Sequence, residues 1–360
     1  MVSVLDLDTP CVVVDENIVR DNIFRMQSFA VSHNKKLRPH IKTHKVPLLA
    51  EWQIEAGASG ICVQKTSEAE VMVRHGIKDV FISNEVIGEQ KTDRVAALGG
   101  LSKISLAVDS ELGVSQISKS ASEIGTEVGV FIDVDVGMER CGVRGERVAK
   151  LAELITRSPG IYFSGVMGYD GHTSKLVSFE QRKLSVKRSH EILKDAISWI
   201  ASKGISVENV SVGGTPSSYI WAEFEDVTEL QPGTYLYNDA HQVELGVARM
   251  EECGLTVLST VMSKPTLDRA IIDAGSKSFA FDQHKFPVPL NKEDVIFVGF
   301  SEEHGVLRSV NGEIDVQLGE KIRFIPYHVC TTVDLWDYVY LVKDEKVIGK
   351  LNVEARGMRT

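Results

Sequence analysis

Short apolar runs alternate with longer amphipathic stretches through the first two thirds of the chain. The runs are rich in β-branched residues, and most of the gaps between them repeat apolar positions with the period of a helix. Eight such runs occur, at residues 37–42, 60–64, 79–83, 103–108, 128–136, 162–169, 208–212 and 227–237. Eight strand–helix units predict an α/β fold with a TIM (β/α)8 barrel, although an open doubly wound sheet would give nearly the same pattern.

The pattern changes in the last third of the chain. Strand-like runs now follow one another through turn signals, and no long helix separates them. These runs lie at residues 255–262, 268–273, 295–300, 321–327, 338–341 and 346–353. We therefore predict a barrel domain at residues 10–243 and an all-β domain at residues 244–360, with residues 1–9 available to add a strand to the β-domain.

Charge and composition exclude several classes of partner. The 360 residues carry a formal net charge of −10, and Lys and Arg form no long run. No nucleic-acid partner is expected for such a chain. The N-terminal residues lack a signal-peptide pattern and no apolar stretch reaches membrane-spanning length, so we expect a cytoplasmic protein without a membrane partner. Five widely spaced cysteines indicate free thiols, and only Cys330 invites a chemical interpretation.

Catalytic residues are expected where the predicted strands end, because barrel active sites lie at the carboxyl ends of the strands. Lys42 ends the first run in a basic segment with Arg38 and Lys45. A lysine held rigidly beside other cations suits covalent binding of a carbonyl cofactor, although a solvated basic loop has the same composition. Arg140 follows a glycine turn after the fifth run, where a guanidinium can stabilise a phenolate or carboxylate, although surface loops often carry arginines.

Two Gly-Thr segments after neighbouring runs predict a phosphate site. One is the Gly-Gly-Thr sequence that ends at Thr215 and leads into a predicted helix at 219–225. Free backbone amides and a helix N-terminus favour an anion, although a tight turn with a helix cap would look the same. The other segment brings Gly233 and Thr234 to the adjacent strand end.

His328 and Cys330 are predicted to lie on an extended strand, two residues apart and therefore on one face. Imidazole and thiolate together suit zinc, and two protein ligands would leave positions for water or substrate. A buried His–Cys pair without metal is the structural alternative.

Taken together, these segments resemble the D-serine dehydratase and D-threonine aldolase family, which belongs to the alanine-racemase-like, fold-type III pyridoxal-phosphate enzymes. Ordered matches run through nearly the whole chain, at residues 7–10, 38–45, 64, 67–70, 134–142, 167–172, 213–216, 232–235, 301–305 and 328–330. The resemblance implies that Lys42 binds pyridoxal phosphate covalently and that a divalent metal is held by His328 and Cys330. It also implies cofactor contacts from Arg140 at the phenolic oxygen, Tyr169 at the ring, and Thr215, Gly233 and Thr234 at the phosphate.

The resemblance implies an enzyme that acts on D-amino acids with a 3-hydroxyl group. It also bears on which reaction that enzyme catalyses. Dehydratases of the family typically have His-x-Cys at the metal site, whereas the better-known bacterial D-threonine aldolases have an aspartate at the position of Cys330. We therefore expect D-serine dehydration to a 2-oxo acid and ammonia, with cleavage to glycine and an aldehyde as the alternative. Residues 64 and 67–70 resemble the aldolases as much as they resemble the dehydratases. In the aldolase reaction, His172 is a candidate helper.

Two rival functions remain. An amino-acid racemase on the same fold would have no use for His328 and Cys330, so metal dependence separates it from a lyase. A non-catalytic pyridoxal-phosphate carrier would also place a lysine on a barrel, but such relatives generally lack an all-β domain. The fold group further implies a homodimer, and thiolate ligation favours zinc over manganese. The preferred substrate, and the subunit that supplies the metal ligands, are not determined by the sequence.

Overall fold

The computed structural model describes residues 2–360 and divides into two compact units. One unit, here called the barrel unit, comprises Arg25–Lys42, Pro47–Gly233 and Gly357–Thr360. The other, the β-unit, comprises the residues up to Phe24, Thr43–Val46 and Thr234–Arg356. Lys42 therefore ends a segment of the barrel unit, and Thr43 begins a segment of the β-unit.

Over residues 2–360 the chain forms 17 strands and ten α-helices. The strands are β1 (Cys11–Asp15), β2 (Lys36–Leu37), β3 (Ile61–Val63), β4 (Asp79–Glu85), β5 (Lys103–Val108), β6 (Val128–Asp133), β7 (Ile161–Gly168), β8 (Val210–Val212), β9 (Glu229–Leu230), β10 (Leu255–Thr266), β11 (Arg269–Ile272), β12 (Val288–Pro289), β13 (Val295–Phe300), β14 (Gly305–Ser309), β15 (Lys321–Ile325), β16 (Tyr338–Lys343) and β17 (Lys346–Asn352). The helices are α1 (Glu16–Ser32), α2 (Pro47–Glu55), α3 (Thr66–Arg74), α4 (Glu89–Gly99), α5 (Glu111–Ile124), α6 (Glu146–Arg157), α7 (Phe179–Ala201), α8 (Thr215–Trp221), α9 (Ala240–Glu244) and α10 (Val329–Val333). Short 3₁₀ helices lie at Val4–Asp6, Ile41–Thr43, Gly171–Lys175, Thr234–Leu236 and Met250–Glu252.

The barrel unit is built on a closed parallel sheet. Its eight strands follow the order β2-β9-β8-β7-β6-β5-β4-β3, and every neighbouring pair is parallel. The two edges meet, because His40 and Cys62 form a parallel bridge and the Cys62 backbone N–H donates to the Pro39 carbonyl at 2.8 Å. The predicted TIM barrel is therefore confirmed, and the alternative of an open doubly wound sheet is wrong.

The first and last predicted barrel runs are shorter as strands than the sequence suggested. Only Lys36–Leu37 and Glu229–Leu230 are strand, and 3₁₀ turns follow at Ile41–Thr43 and Thr234–Leu236. Pro39 and Pro232 lie between strand and turn, and each lacks the N–H that would continue the ladder. Each run therefore turns at the barrel rim.

The barrel interior combines an apolar layer with a buried charged group. Cys62, Phe81, Ala107, Phe131 and Met167 form the apolar cluster, and the Phe81 and Phe131 ring centroids are 4.5 Å apart. At the amino ends of the strands, the buried Arg38 guanidinium donates to Glu229 at 2.9 Å and to Asp79 at 2.5 Å. These carboxylates belong to the first residues of β9 and β4, so one buried cation links two strand beginnings.

The β-unit is mostly strand, as predicted for the C-terminal part of the chain. Its strands follow the order β13-β14-β11-β10-β1-β16-β17, and β15 pairs with both β10 and β12. The N-terminal strand β1 is antiparallel to β10 and parallel to β16. Strand β14 was not predicted, because Arg308 and Ser309 interrupt its apolar pattern.

None of the helices within residues 2–360 is long and apolar enough to cross a membrane. All five cysteines are free thiols, and Cys11, Cys62 and Cys253 among them are buried.

Removal of the buried Arg38 should destabilise the protein strongly, because the buried Glu229 carboxylate would lose the cation that it contacts. The partly exposed Asp79 would still have Lys103, at 3.1 Å. We expect Arg38→Met to cost about 3 kcal/mol or more, seen as a lower midpoint in thermal unfolding followed by circular dichroism. Arg94→Met is the matched control, since Arg94 also makes a bidentate pair, with Glu70, but its side chain is 34% exposed. That pair should contribute less than about 1 kcal/mol. Equal midpoint shifts in the two variants would contradict this assignment.

Candidate active site

Lys42 lies just beyond β2 at the carboxyl end of the barrel, in the 3₁₀ turn Ile41–Thr43. His40 supports this turn, because the Lys42 backbone N–H donates to His40 Nδ1 at 3.3 Å. Nδ1 is thus the acceptor, which leaves Nε2 to donate to Ser83 Oγ at 3.1 Å and Gln64 Oε1 at 3.3 Å. The imidazole therefore ties the lysine turn to the ends of β3 and β4, a role that the sequence did not reveal.

Lys42 and Arg140 both lie near the ring of Tyr169, the residue that the family resemblance added to the site. Tyr169 follows β7, and its ring centroid lies 5.3 Å from Lys42 Nζ and 5.2 Å from Arg140 Cζ. Both distances are within the range of cation–π attraction. A flat aromatic face with cations beside it suits a planar, anionic cofactor.

Sequence reasoning missed a pair of carboxyl groups at the same end of the barrel. Asp133 is the last residue of β6, Glu85 is the last residue of β4, and their side chains are hydrogen-bonded. Burial, followed by the hydrogen bond and charge of Glu85, raises the pKa of Asp133 to about 8. Asp133 therefore keeps a proton at neutral pH. The signal available in the sequence was a carboxylate within or just after each of two predicted barrel runs, 128–136 and 79–83.

The Gly-Gly-Thr segment forms a tight loop that leads directly into a helix. Gly213 has a φ of +84°, and a Cβ there would lie 3.0 Å from Trp221 Cδ1. The predicted helix at 219–225 is wrong in its bounds, because α8 spans Thr215–Trp221. Pro216 explains the early start, since proline fits the first turn of a helix.

Asp170 fixes this loop through side-chain hydrogen bonds. Its carboxylate accepts hydrogen bonds from Ser217 Oγ at 2.9 Å and from Trp221 Nε1 at 2.9 Å. Ser217 Oγ in turn accepts the Gly214 backbone N–H at 3.1 Å. Burial raises the pKa of Asp170, and the hydrogen bonds from Trp221 and Ser217 oppose that rise. The buried Thr215 therefore follows a loop whose backbone is fixed by side-chain hydrogen bonds, and it begins α8.

Gly233 and Thr234 follow β9, and the structure assigns them to different units. Gly233 is buried and follows Pro232, whose carbonyl accepts the His40 backbone N–H at 3.0 Å. Thr234 belongs to the β-unit, where its Oγ1 lies 3.8 Å from Cys330 Sγ. The predicted phosphate role of Thr234 thus coincides with a contact to the predicted metal ligand.

His328 and Cys330 are in contact, but not on a strand. The predicted extended conformation is wrong, because β15 ends at Ile325, before Pro326, and His328 is the N-cap residue of α10. The two side chains are nevertheless hydrogen-bonded to each other. Removal from water would lower the pKa of His328, but the hydrogen bonds with Asp282 and Cys330 raise that pKa to about 11.

The Cys330 thiol lies in a polar environment that favours thiolate. Removal from water would raise the pKa of Cys330, but the hydrogen bond and charge of His328 lower it below the ordinary value. Thr43 Oγ1 adds a hydrogen bond at 3.3 Å from the sulfur. Within residues 2–360 there is no group of three or more His, Cys, Asp or Glu side chains arranged to hold a metal ion.

Comparison with known proteins supports one family. The sequence matches the profile of the alanine racemase N-terminal domain over residues 14–241 and that of a serine dehydratase domain over residues 254–342. It is 36% identical to a D-threonine aldolase from Arthrobacter sp., over 98% of this chain and 93% of that protein. It is also 27% identical to a D-serine dehydratase from Dictyostelium discoideum, over 96% of each chain. A crystal structure of D-threonine aldolase from Filomicrobium marinum is similar with a TM-score of 0.95 at 32% identity, covering 99% of this chain and 98% of that one.

The chain belongs to the D-threonine aldolase and D-serine dehydratase family. It is a lyase of the fold-type III pyridoxal-phosphate enzymes, as the sequence predicted. The barrel residues fit the cofactor of this family: Lys42 and Arg140 flank the Tyr169 ring, and the bare backbone at Gly214 approaches that ring, since a Cβ there would lie 3.5 Å from it. The donor set of His328 and Cys330 likewise fits a divalent metal of borderline softness.

The proton that Asp133 keeps should make stability depend on pH. Because the pKa of Asp133 is raised on folding, the folded state keeps a proton that the unfolded chain releases. This contribution is complete below about pH 4 and is lost as the pH rises toward 8. We expect the thermal midpoint to fall between pH 6 and pH 8 by a few °C more in the wild type than in Asp133→Asn, which is neutral at residue 133 throughout. Glu89→Gln, at an exposed surface pair, should follow the wild type; parallel profiles for wild type and Asp133→Asn would refute the raised pKa of Asp133.

Proposed function

We propose that this protein cleaves D-3-hydroxyamino acids, such as D-threonine, to glycine and an aldehyde, with pyridoxal phosphate and a divalent metal. The observation that carries the proposal is the difference in similarity over nearly the whole chain. Identity is 36% to the D-threonine aldolase but 27% to the D-serine dehydratase, at comparable coverage. In the sequence, the identity of Cys330 alone favours dehydration.

The barrel residues would hold the cofactor as the family resemblance implies. Lys42 would bind it covalently, Arg140 would lie near its phenolic oxygen and Tyr169 near its ring, and Thr215, Gly233 and Thr234 would hold its phosphate. Pyridoxal phosphate, when bound, supplies an electron sink for bonds at the substrate Cα. The fixed turns around Lys42 and Gly213 support these roles, because they hold the reacting groups in place before substrate arrives.

His328 and Cys330 would hold the metal, with zinc favoured by the thiolate and manganese as the alternative. A divalent ion there supplies a Lewis acid for the substrate 3-hydroxyl, which makes that hydroxyl more acidic. His172 is proposed as the group that receives the hydroxyl proton. Its Nδ1 is buried without a hydrogen-bond partner in residues 2–360, and a Cβ at Gly137 would lie 3.4 Å from its ring. The imidazole therefore has an acceptor available beside the Arg140 turn.

D-Serine dehydration is the second candidate, and Cys330 is the observation that favours it. In that reaction the Lys42 amine would remove the Cα proton, and a metal held by His328 and Cys330 would supply a Lewis acid for the leaving hydroxyl group. Racemisation is the third candidate, and it needs neither His328 nor Cys330. A homodimer, as implied by the fold group, also stays a proposal, which light scattering of the purified protein would test.

Product analysis separates these candidates. Purified protein with pyridoxal phosphate and zinc or manganese is incubated separately with D-threonine and D-serine, with and without a chelator. We expect glycine and acetaldehyde from D-threonine, lost when the chelator is present. Release of 2-oxo acid and ammonia instead would establish dehydration. Release of neither set of products would leave racemisation as the remaining candidate, and cleavage unaffected by the chelator would exclude the metal from the reaction.

Substitution of His172 tests its role as proton acceptor. We expect His172→Phe to lower kcat for D-threonine cleavage by at least about 100-fold, the usual contribution of a positioned base, while the absorbance of bound pyridoxal phosphate is unchanged. Lys42→Ala is the comparison, because it should remove the covalent cofactor signal as well as the activity. Full cleavage activity in His172→Phe would exclude His172 as the base.

A further inference from the structure

His328 has a second partner that the sequence did not indicate. Its Nδ1 lies 2.6 Å from Asp282 Oδ2, and the other carboxylate oxygen, Oδ1, accepts a hydrogen bond from Thr331 Oγ1 at 2.9 Å. Thr331 Oγ1 is itself 3.1 Å from His328 Nδ1. The carboxylate is therefore held by both an imidazole and a hydroxyl.

The segment that carries Asp282 is fixed to the helix that carries the metal ligands. The Ala280 backbone N–H donates to Thr332 Oγ1 at 3.2 Å, and Trp336 Nε1 donates to the Ser278 carbonyl at 3.1 Å. Thr332 Oγ1 also donates to the His328 carbonyl at 2.9 Å. Two hydrogen bonds thus join residues 278–280 to α10 and the turn after it.

Aromatic packing anchors the same segment on the other side of Asp282. The Phe281 ring stacks on Phe286 with centroids 5.1 Å apart and meets Phe300 edge-on at 5.4 Å. Phe300 in turn packs against Phe297 at 4.6 Å. An ordinary surface ion pair needs no such support, whereas a carboxylate that must hold an imidazole at a fixed angle does.

We propose that Asp282 is a positioning residue for the metal ligand His328. It accepts the Nδ1–H hydrogen bond, fixes the ring orientation and tautomer, and so presents the Nε2 lone pair to the metal. The inference rests on the proposed function only in taking His328 as a ligand. A carboxylate on the far nitrogen of a ligating imidazole also increases the basicity of the ligating nitrogen.

Zinc affinity tests this directly. Zinc is titrated into the metal-free protein with bound pyridoxal phosphate, in competition with a chromophoric chelator. We expect Asp282→Ala to raise the zinc Kd by about 10- to 100-fold, and Asp282→Asn to raise it less, because the amide oxygen still accepts a hydrogen bond. Asp337→Asn is the matched control, an exposed carboxylate of the β-unit paired with Arg356 at 2.8 Å. Its zinc Kd should stay within about twofold of the wild type.

A spectroscopic measurement separates positioning from general destabilisation. Cobalt bound through His328 and Cys330 should give absorption bands sensitive to ligand geometry, and these bands should shift in Asp282→Ala and Asp282→Asn but not in Asp337→Asn. If Asp282→Ala does not fold, the isosteric Asp282→Asn carries the test, with the absorbance of bound pyridoxal phosphate as a check on folding.

The possible failures are distinct. An Asp282→Ala protein with wild-type zinc affinity and unchanged cobalt bands overturns the positioning role, provided that His328→Ala abolishes binding, and it leaves the proposed metal site intact. Zinc binding that survives His328→Ala, or that is absent from the wild type, overturns both the positioning role and the metal half of the proposed function.

Discussion

Closure of the eight-stranded parallel sheet is the constraint that brings the candidate cofactor-binding residues of the barrel unit together. Pairing across His40 and Cys62 joins the first and last strands, so the carboxyl ends of all eight strands form one ring. Lys42, Asp133 and Tyr169 come from distant parts of the sequence, yet each ends or follows a strand of that ring. At the opposite ends, the buried Arg38 bonds the first residues of β4 and β9, and because an unpaired buried charge is so unfavourable, these strand beginnings stay in register.

The segment of the β-unit that carries His328 and Cys330 is organised in a different way. No strand pairing holds these two side chains, because β15 ends before His328 and a single short helix follows. Side-chain hydrogen bonds fix the segment instead: the Val329 backbone N–H donates to the buried Asp239 at 3.0 Å, and the same carboxylate caps α9 through Gln242 at 2.9 Å. The position of the His328–Cys330 pair thus depends on individual polar contacts, so single substitutions should affect it more than they affect the barrel.

Periodicity in the sequence predicted the barrel and the all-β part because both depend on apolar residues at regular spacing. It also led to Lys42 and Arg140, and the family resemblance added Tyr169, whose ring lies near both cations in the structure. It failed where local chemistry overrides the period: Pro326 ends the strand before His328, and Pro216 starts α8 earlier than its apolar pattern suggests. The roles of His40, Asp133 and Asp282 could not be predicted, because each depends on a partner far away in sequence.

The hydrogen bonds at Cys330 explain how one donor set could serve either lyase reaction. A thiolate gives more charge to a metal than a carboxylate does, which would weaken the ion as a Lewis acid for a hydroxyl group. Thr43 and Thr234 both bring hydroxyls to the sulfur, at 3.3 and 3.8 Å, and hydrogen bonds to a ligating sulfur withdraw part of its charge. A cysteine at the proposed metal site is therefore compatible with the proposed cleavage. Cleavage needs an acceptor for the 3-hydroxyl proton and dehydration does not, so the proposed role of His172 bears more directly on the reaction than the identity of residue 330 does.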